Sequence, residues 1–200
     1  MGDSRGNAVA SRTAVDVFAA QVLSAGQPNP AKIRSAVAEA QRRVLAAGEQ
    51  LLGLTGCTLT ALLSVSTGEA WIAQIGDSRA YRYRAGLLER LTVDHTAAWL
   101  GAVYGWYPAD SPQAAAARYR LHRYVGHPDA PEPDVLNVAL RPGDVLCVCT
   151  DGLADQVSYQ RLGQVLGSGR HPEEMVAVLL ADTLAAGGRD NATLAVVRVD

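Results

Sequence analysis

Residues Leu146-Cys147-Val148-Cys149-Thr150-Asp151-Gly152-Leu153 form an apolar run that ends abruptly in an aspartate and a glycine. The run is short and follows the turn-like Arg141-Pro142-Gly143-Asp144, a pattern that predicts a strand buried on both faces. Asp151 then lies where the strand leaves the core. A carboxylate there is costly to desolvate unless it is hydrogen-bonded or binds a cation. A simpler role is also open, because Asp-Gly commonly forms a turn or begins a helix.

A second carboxylate, Asp190, lies in Gly187-Gly188-Arg189-Asp190-Asn191-Ala192-Thr193, directly before the apolar run Leu194 to Val199. Two aspartates at strand ends are typical of the start of a divalent cation site, because such cations prefer hard oxygen ligands. The pair therefore shifts the interpretation of Asp151 from turn former toward metal ligand.

Two further aspartates are candidates with strong alternatives. Asp77, in Ile75-Gly76-Asp77-Ser78-Arg79, follows a strand-like segment, but the same residues can form a turn braced by its own hydrogen bonds. Asp94 stands beside His95 in Leu91-Thr92-Val93-Asp94-His95-Thr96. We interpret His95 as a structural hydrogen-bonding residue rather than a ligand.

The composition indicates one ordinary globular domain. The 200 residues are 48% hydrophobic, and 18 Lys and Arg against 20 Asp and Glu give a net charge of -2. This balance offers no bulk attraction to nucleic acid or to an anionic membrane. The three cysteines lack the spacing of a zinc site and are expected to be buried in a reducing compartment. Without a signal sequence or an apolar run of about 18 residues, a cytoplasmic protein is expected.

The order of the predicted elements favours an α+β fold with antiparallel sheets, because helices and strands come in separate runs. Two helices are predicted first, the second starting at the cap-and-proline pair Asn29-Pro30. Four strands, interpreted as one antiparallel meander, then span residues 57–65, 70–75, 79–84 and 87–91. The weakly periodic stretch 92–133, with one short helix predicted at 112–119, is either a functional flap or a poorly ordered loop. Strands at 135–140, 146–149 and 194–199 and helices at 158–166 and 172–184 complete the chain.

Five segments together resemble successive signature segments of the metal-dependent protein phosphatases of the PP2C or PPM type. They occur in that family's order and at similar spacing, and they span most of the chain. The segments are Gly56-Cys57-Thr58, Ile75-Gly76-Asp77-Ser78-Arg79-Ala80-Tyr81, Leu91-Thr92-Val93-Asp94-His95-Thr96, Thr150-Asp151-Gly152-Leu153-Ala154-Asp155 and Arg189-Asp190-Asn191-Ala192-Thr193.

The resemblance implies an α-β-β-α sandwich, in which two antiparallel sheets are flanked by helices. It implies two Mn²⁺ or Mg²⁺ ions, with a third in some members, at one end of the sandwich. A metal-bound water then hydrolyses phosphoserine or phosphothreonine without a covalent phosphoenzyme, so no catalytic side chain is assigned. The implied partners are phosphoproteins and the Ser/Thr kinase that produces them.

Carried over by matching segments, the resemblance assigns metal-binding roles to Asp151, Asp190 and Asp77, the last of these to the looser third ion. Possible accessory residues are Asp155, Gly152 and Asn191. A flap-like insertion at about residues 96–133 matches the region that discriminates protein substrates.

The beginning of the chain departs from the family pattern. Members carry an Arg-x-x-Asn-x-Glu-Asp type segment and a strand ending in Asp-Gly, for which the sequence shows no counterpart. We therefore expect residues 1–200 to be a single, N-terminally incomplete domain lacking the first strands, with impaired phosphatase activity. The alternatives are a non-catalytic pseudophosphatase that binds a partner or regulates it, and an α+β domain whose aspartates only form turns.

Overall fold

The computed structural model describes residues 5–24, 26–51, 55–65, 68–108 and 110–200. Within these residues the helices and strands come in separate runs, as the sequence predicts. In chain order they are α1 (Arg5–Ser24), α2 (Pro30–Leu51), β1 (Leu59–Val65), β2 (Glu69–Ile75), β3 (Arg79–Arg84), β4 (Leu87–Arg90), α3 (Ala97–Tyr104), α4 (Pro112–Ala117), β5 (Asp134–Ala139), β6 (Val145–Cys149), α5 (Asp151–Ala154), α6 (Tyr159–Leu166), α7 (Pro172–Ala185) and β7 (Leu194–Arg198).

The described strands form two antiparallel sheets, which confirms the predicted α+β sandwich. The first sheet has the order β1-β2-β5 and the second has the order β4-β3-β6-β7. Helices α1 and α2 pack on the first sheet through a buried cluster that includes Phe18, Ile33 and Ile75. Helices α5 to α7 pack on the second sheet around Leu153, Met175 and Leu179.

The two sheets face each other across a thin apolar layer. Ile72 and Val138 of the first sheet and Ala80 of the second are buried there. Strand β6 is buried along most of its length, as its apolar sequence predicts, and the three cysteines are buried and free. No helix in the described ranges is long and apolar enough to cross a membrane.

The predicted four-stranded meander is wrong. Strands β1 and β2 pair with each other in one sheet, whereas β3 and β4 pair in the other. The chain changes sheet at residues 76–78, between β2 and β3. Alternation of side chains predicts each strand but not its partner, and the turn at Gly76 redirects the chain where a hairpin would have continued the meander.

The stretch after β4 is a structured excursion carrying α3 and α4, the first of which the sequence pattern does not predict. Thr96 caps α3 by accepting a hydrogen bond from Trp99 N–H, and Ser111 caps α4 in the same way. Two backbone hydrogen bonds tie the two ends of this excursion together. Ala97 N–H donates to the Arg120 carbonyl, and His122 N–H donates to the His95 carbonyl. A further bond, from His95 N–H to the Gly76 carbonyl, anchors the excursion beside the end of β2.

Candidate active site

A pocket of about 290 Å³ lies where the two sheets end beside α3 and α4. Its floor contains the carboxylates of Asp77, Asp94, Asp151 and Asp155. Its outer wall comes from the excursion and includes Trp99, Ala114, Arg118 and Tyr119. Of the three aspartates predicted to bind metal, the pocket brings together two, Asp77 and Asp151.

Asp151 is the first residue of α5, just beyond the end of β6. Its Oδ1 accepts a hydrogen bond from Gly152 N–H at 2.9 Å. Asp151 therefore begins a helix, as the simpler interpretation of its sequence position predicts, and it also lines the pocket. Burial, followed by the charges of Asp190 and Asp155, raises the pKa of Asp151 above its ordinary value.

Asp190 lies outside the pocket lining, on the exposed loop before β7, yet its charge reaches Asp151. Hydrogen bonds between Thr150 and Thr193 join the loops that carry these aspartates. Thr150 N–H donates to the Thr193 carbonyl at 3.0 Å, and Thr193 N–H donates to Thr150 Oγ1 at 3.0 Å. The ends of neighbouring strands β6 and β7 thus hold two carboxylates near each other.

Gly152 allows this approach because it has no side chain. A Cβ atom at this position would lie 2.3 Å from the Asn191 carbonyl oxygen. Gly152 and Asn191, both predicted accessory residues, therefore contact each other through their backbones.

Gln156 is a site residue that sequence reasoning missed. Its Nε2 donates to the Gly152 carbonyl at 2.7 Å, and its Oε1 accepts from Arg189 N–H at 3.0 Å. A single side chain thus links α5 to the loop that carries Asp190. A glutamine one turn after an Asp-Gly pair has no distinctive signal, so only the folded contacts identify it.

Asp77 occupies the turn where the chain changes sheet, after Gly76. Gly76 has a φ of +113°, and a Cβ there would lie 2.3 Å from Thr58 Cγ2, so this position requires glycine. Burial raises the pKa of Asp77 to about 6, and the neighbouring charge of Asp151 contributes to the increase. The ends of β2 and β6 therefore bring two carboxylates from different sheets into one pocket.

The remaining two carboxylates of the pocket are neutralised by arginines. The Arg79 guanidinium donates to both oxygens of Asp94, with the shortest distance 2.7 Å from Nη2 to Oδ2. Arg118 Nη2 donates to Asp155 Oδ1 at 2.5 Å, and Arg79 Nη2 lies 3.5 Å from the same oxygen. Asp155, a predicted accessory residue, is thus in the pocket but already paired.

No basic side chain in the described ranges forms an ion pair with Asp77, Asp151 or Asp190. Burial and neighbouring negative charge raise the pKa of both Asp77 and Asp151. Carboxylates in such surroundings fit a hard divalent cation, which would remove the repulsion. The donor chemistry of the site therefore suits Mn²⁺ or Mg²⁺. Across the described residues, however, no three His, Cys, Asp or Glu side chains converge closely enough to enclose an ion.

Comparisons with known proteins give one consistent result. A family model described as Protein phosphatase 2C matches residues 2–196. The serine/threonine phosphatase stp of Listeria monocytogenes is 26% identical, and the match covers 100% of this chain and 82% of that protein. The crystal structure of the Mycobacterium tuberculosis serine/threonine phosphatase PstP/Ppp has a TM-score of 0.86 and 29% identity, covering 100% of this chain and 85% of the other. The PstP catalytic domain in complex with two manganese ions has a TM-score of 0.83, with 29% identity and the same coverage.

Proposed function

The chain belongs to the protein phosphatase 2C family, and from that premise we propose that it hydrolyses phosphoserine and phosphothreonine in proteins, using Mn²⁺ or Mg²⁺ held by Asp77, Asp151 and Asp190. The observation that carries this proposal is the set of three carboxylates without ion-pair partners in the described residues, two of them in the pocket and the third beside it. The related PstP structure with two manganese ions supports the choice of metal.

Divalent cations bound at such carboxylates activate water as a nucleophile near neutral pH and neutralise the charge of a phosphoryl group. The residues of this chain perform the other tasks. Asp77 and Asp151, at the floor of the pocket, would hold the cations, and the Thr150–Thr193 hydrogen bonds fix the distance between the two strand ends that carry Asp151 and Asp190. Arg118, which is half exposed and pairs with Asp155, lies in the outer wall of the pocket where a phosphate dianion would enter.

The walls of the pocket suggest how a protein substrate is held. Trp99 is 40% exposed and Tyr119 is 77% exposed, and both line the pocket above the carboxylates. Aromatic side chains present large apolar surfaces at little entropic cost, which suits binding of the peptide segment around a phosphorylated residue. We therefore assign the region from residue 96 to 133 to substrate discrimination.

We further propose that residues 1–200 alone bind the cations weakly and turn over slowly. Two divalent ions about 4 Å apart repel by about 4 kcal/mol even at the dielectric constant of water. A shared, negatively charged ligand set must offset that repulsion, and the described residues do not supply three converging ligands. The matches to this chain cover 82% of the Listeria phosphatase and 85% of PstP/Ppp.

A non-catalytic, partner-binding role is the second candidate. It is favoured by exposed aromatic surface on the excursion beyond the pocket itself, where Tyr104 and Trp106 stack with ring centroids 5.4 Å apart. Both rings are more than half exposed. Large exposed aromatic groups of this kind mark sites of protein interaction.

Phosphate release from a phosphothreonine peptide, measured against Mn²⁺ concentration, separates the two candidates. We expect slow release that requires Mn²⁺ and is abolished in Asp151→Asn, while the matched control Asp16→Asn, which changes an exposed aspartate on α1, behaves as wild type. Release that persists in EDTA or in Asp151→Asn would contradict the enzymatic proposal. No release at any Mn²⁺ concentration would favour the binding module, and rapid turnover would contradict the proposed weak binding.

A further inference from the structure

His95 is almost completely buried, with 3% exposure, and it contacts Gly76 at two points. Its ring Nδ1 accepts a hydrogen bond from Gly76 N–H at 3.1 Å, and its backbone N–H donates to the Gly76 carbonyl at 2.9 Å. One residue of the loop between β4 and α3 therefore fixes both polar groups of the residue that precedes Asp77.

The far side of the His95 ring is fixed as well. Because Nδ1 is an acceptor, Nε2 carries the ring proton and donates to Asp134 Oδ2, 3.1 Å away. Arg123 Nη2 donates to the other oxygen of this carboxylate, Asp134 Oδ1, at 2.9 Å. Arg123 Nη1 lies 3.0 Å from Nε2, but both atoms are donors in this tautomer, so the arginine acts on the ring through Asp134. The imidazole is thus held in one tautomer and one orientation by a carboxylate that is itself held by an arginine.

The turn at Gly76 needs this support because its neighbours oppose it. Asp77 and Asp151 are like charges, and without a cation they would move apart if the backbone allowed it. Thr58 packs against Gly76 on one side and leaves the polar groups of the turn to other partners. The Gly76 carbonyl has a second partner, because it also accepts a hydrogen bond from Gln74 Nε2 at 2.6 Å. For the Gly76 N–H, the partner among the described side chains is His95.

We propose that His95 is a positioning residue for the cation site: its ring Nδ1 holds Gly76 N–H so that the Asp77 carboxylate faces Asp151. This inference rests on the proposed function, because the orientation of the Asp77 carboxylate affects function only through the cation that it would bind. His95 itself contacts neither the substrate nor the ion in this arrangement.

Three substitutions of His95 separate positioning from packing. Asparagine places an amide oxygen near the position of Nδ1, so His95→Asn keeps an acceptor for Gly76 N–H. His95→Gln places its polar end near Nε2, toward Asp134, and His95→Ala removes both. The matched control is His122→Asn. The His122 ring lies 5.8 Å from the His95 ring between centroids, and in the described residues it makes no contact with Gly76.

The first measurement is hydrogen exchange of the Gly76 amide by NMR in the metal-free protein. We expect exchange to accelerate about tenfold or more in His95→Ala and His95→Gln, the scale of one buried hydrogen bond. His95→Asn and His122→Asn should stay within about threefold of wild type on the same scale. Equal exchange in all variants, or rescue by glutamine as good as by asparagine, would overturn the inference.

The second measurement is Mn²⁺ affinity by calorimetry, in wild type and in an Asp77→Asn background. His95→Ala should weaken Mn²⁺ binding about tenfold in the wild-type background and have no further effect once Asp77 is changed, because coupled residues are not additive. An equal loss in both backgrounds would overturn the positioning role. If wild type bound no Mn²⁺, the proposed function would fail, and the exchange data would still decide whether His95 holds the turn.

Discussion

Replacing Asp77 by asparagine should make the metal-free protein more stable. Burial and the charge of Asp151 raise the pKa of Asp77 from 3.8 to about 6. That difference corresponds to about 3 kcal/mol of destabilisation of the folded state when the carboxylate is ionised. Since Asp77 keeps partial contact with solvent, which screens part of the repulsion, we expect Asp77→Asn to raise the free energy of unfolding by about 1 to 3 kcal/mol at pH 7.5.

The pH dependence of this gain follows from the direction of the pKa change. The folded state binds a proton to Asp77 more readily than the unfolded state does, so wild type recovers stability as the pH falls from about 6 to about 4. Above pH 6 the carboxylate is ionised in both states and the gain from Asp77→Asn is complete. Below about pH 4 both states are protonated and the gain should disappear.

Urea unfolding in EDTA at pH 4, 5, 6 and 7.5 measures this difference, with Asp16→Asn as the exposed control. A loss of stability in Asp77→Asn at pH 7.5, or a difference that is the same at pH 4 and pH 7.5, would refute the reasoning. In excess Mn²⁺ the order should reverse, because wild type gains stability from binding and Asp77→Asn gains less. The carboxylate that destabilises the empty fold would then be the one that binds the metal.

Three other substitutions test separate parts of the site. Gly152→Ala places a Cβ 2.3 Å from the Asn191 carbonyl oxygen, so urea unfolding should show a loss of about 1 to 3 kcal/mol, and calorimetry should show weaker Mn²⁺ binding; unchanged values would contradict the tight packing. Gln156→Ala removes two hydrogen bonds that tether the Asp190 loop, so we expect the free energy of unfolding to fall by about 1 to 2 kcal/mol. Mn²⁺ binding should also weaken; an unchanged Mn²⁺ affinity would show that the two bonds act only locally. Trp99→Ala should raise KM for a phosphoprotein and leave KM for p-nitrophenyl phosphate unchanged; an equal change for both substrates would argue against a substrate-binding wall.

Local chemistry predicts most of the individual elements. Asn29 caps α2 by accepting a hydrogen bond from Lys32 N–H at 3.0 Å, and Ser158 caps α6 by accepting one from Arg161 N–H. Asn and Ser are favoured at this position because their side chains accept from the backbone of the first helical turn. The apolar run before Asp151 predicts the buried strand β6. Each of these features depends on a few neighbouring residues, so it can be predicted from the sequence alone.

Contacts between distant segments are not predicted in this way. The division of β1 to β4 between two sheets depends on the backbone direction at Gly76, which alternation of side chains does not encode. The ion pair of Arg79 with Asp94 and the bond of His95 to Gly76 join residues 15 and 19 positions apart. Sequence reasoning names the acidic residues of the site, and the fold shows which of them are already neutralised.

A Mn²⁺ binding isotherm measured by calorimetry on wild type, Asp77→Asn, Asp151→Asn and Asp190→Asn tests the proposed cation site most directly. We predict weak binding to wild type that is strongly reduced, but still measurable, in each of the three variants, while Asp16→Asn binds as wild type does. Binding that none of the three substitutions changes would contradict the assignment of these carboxylates as metal ligands.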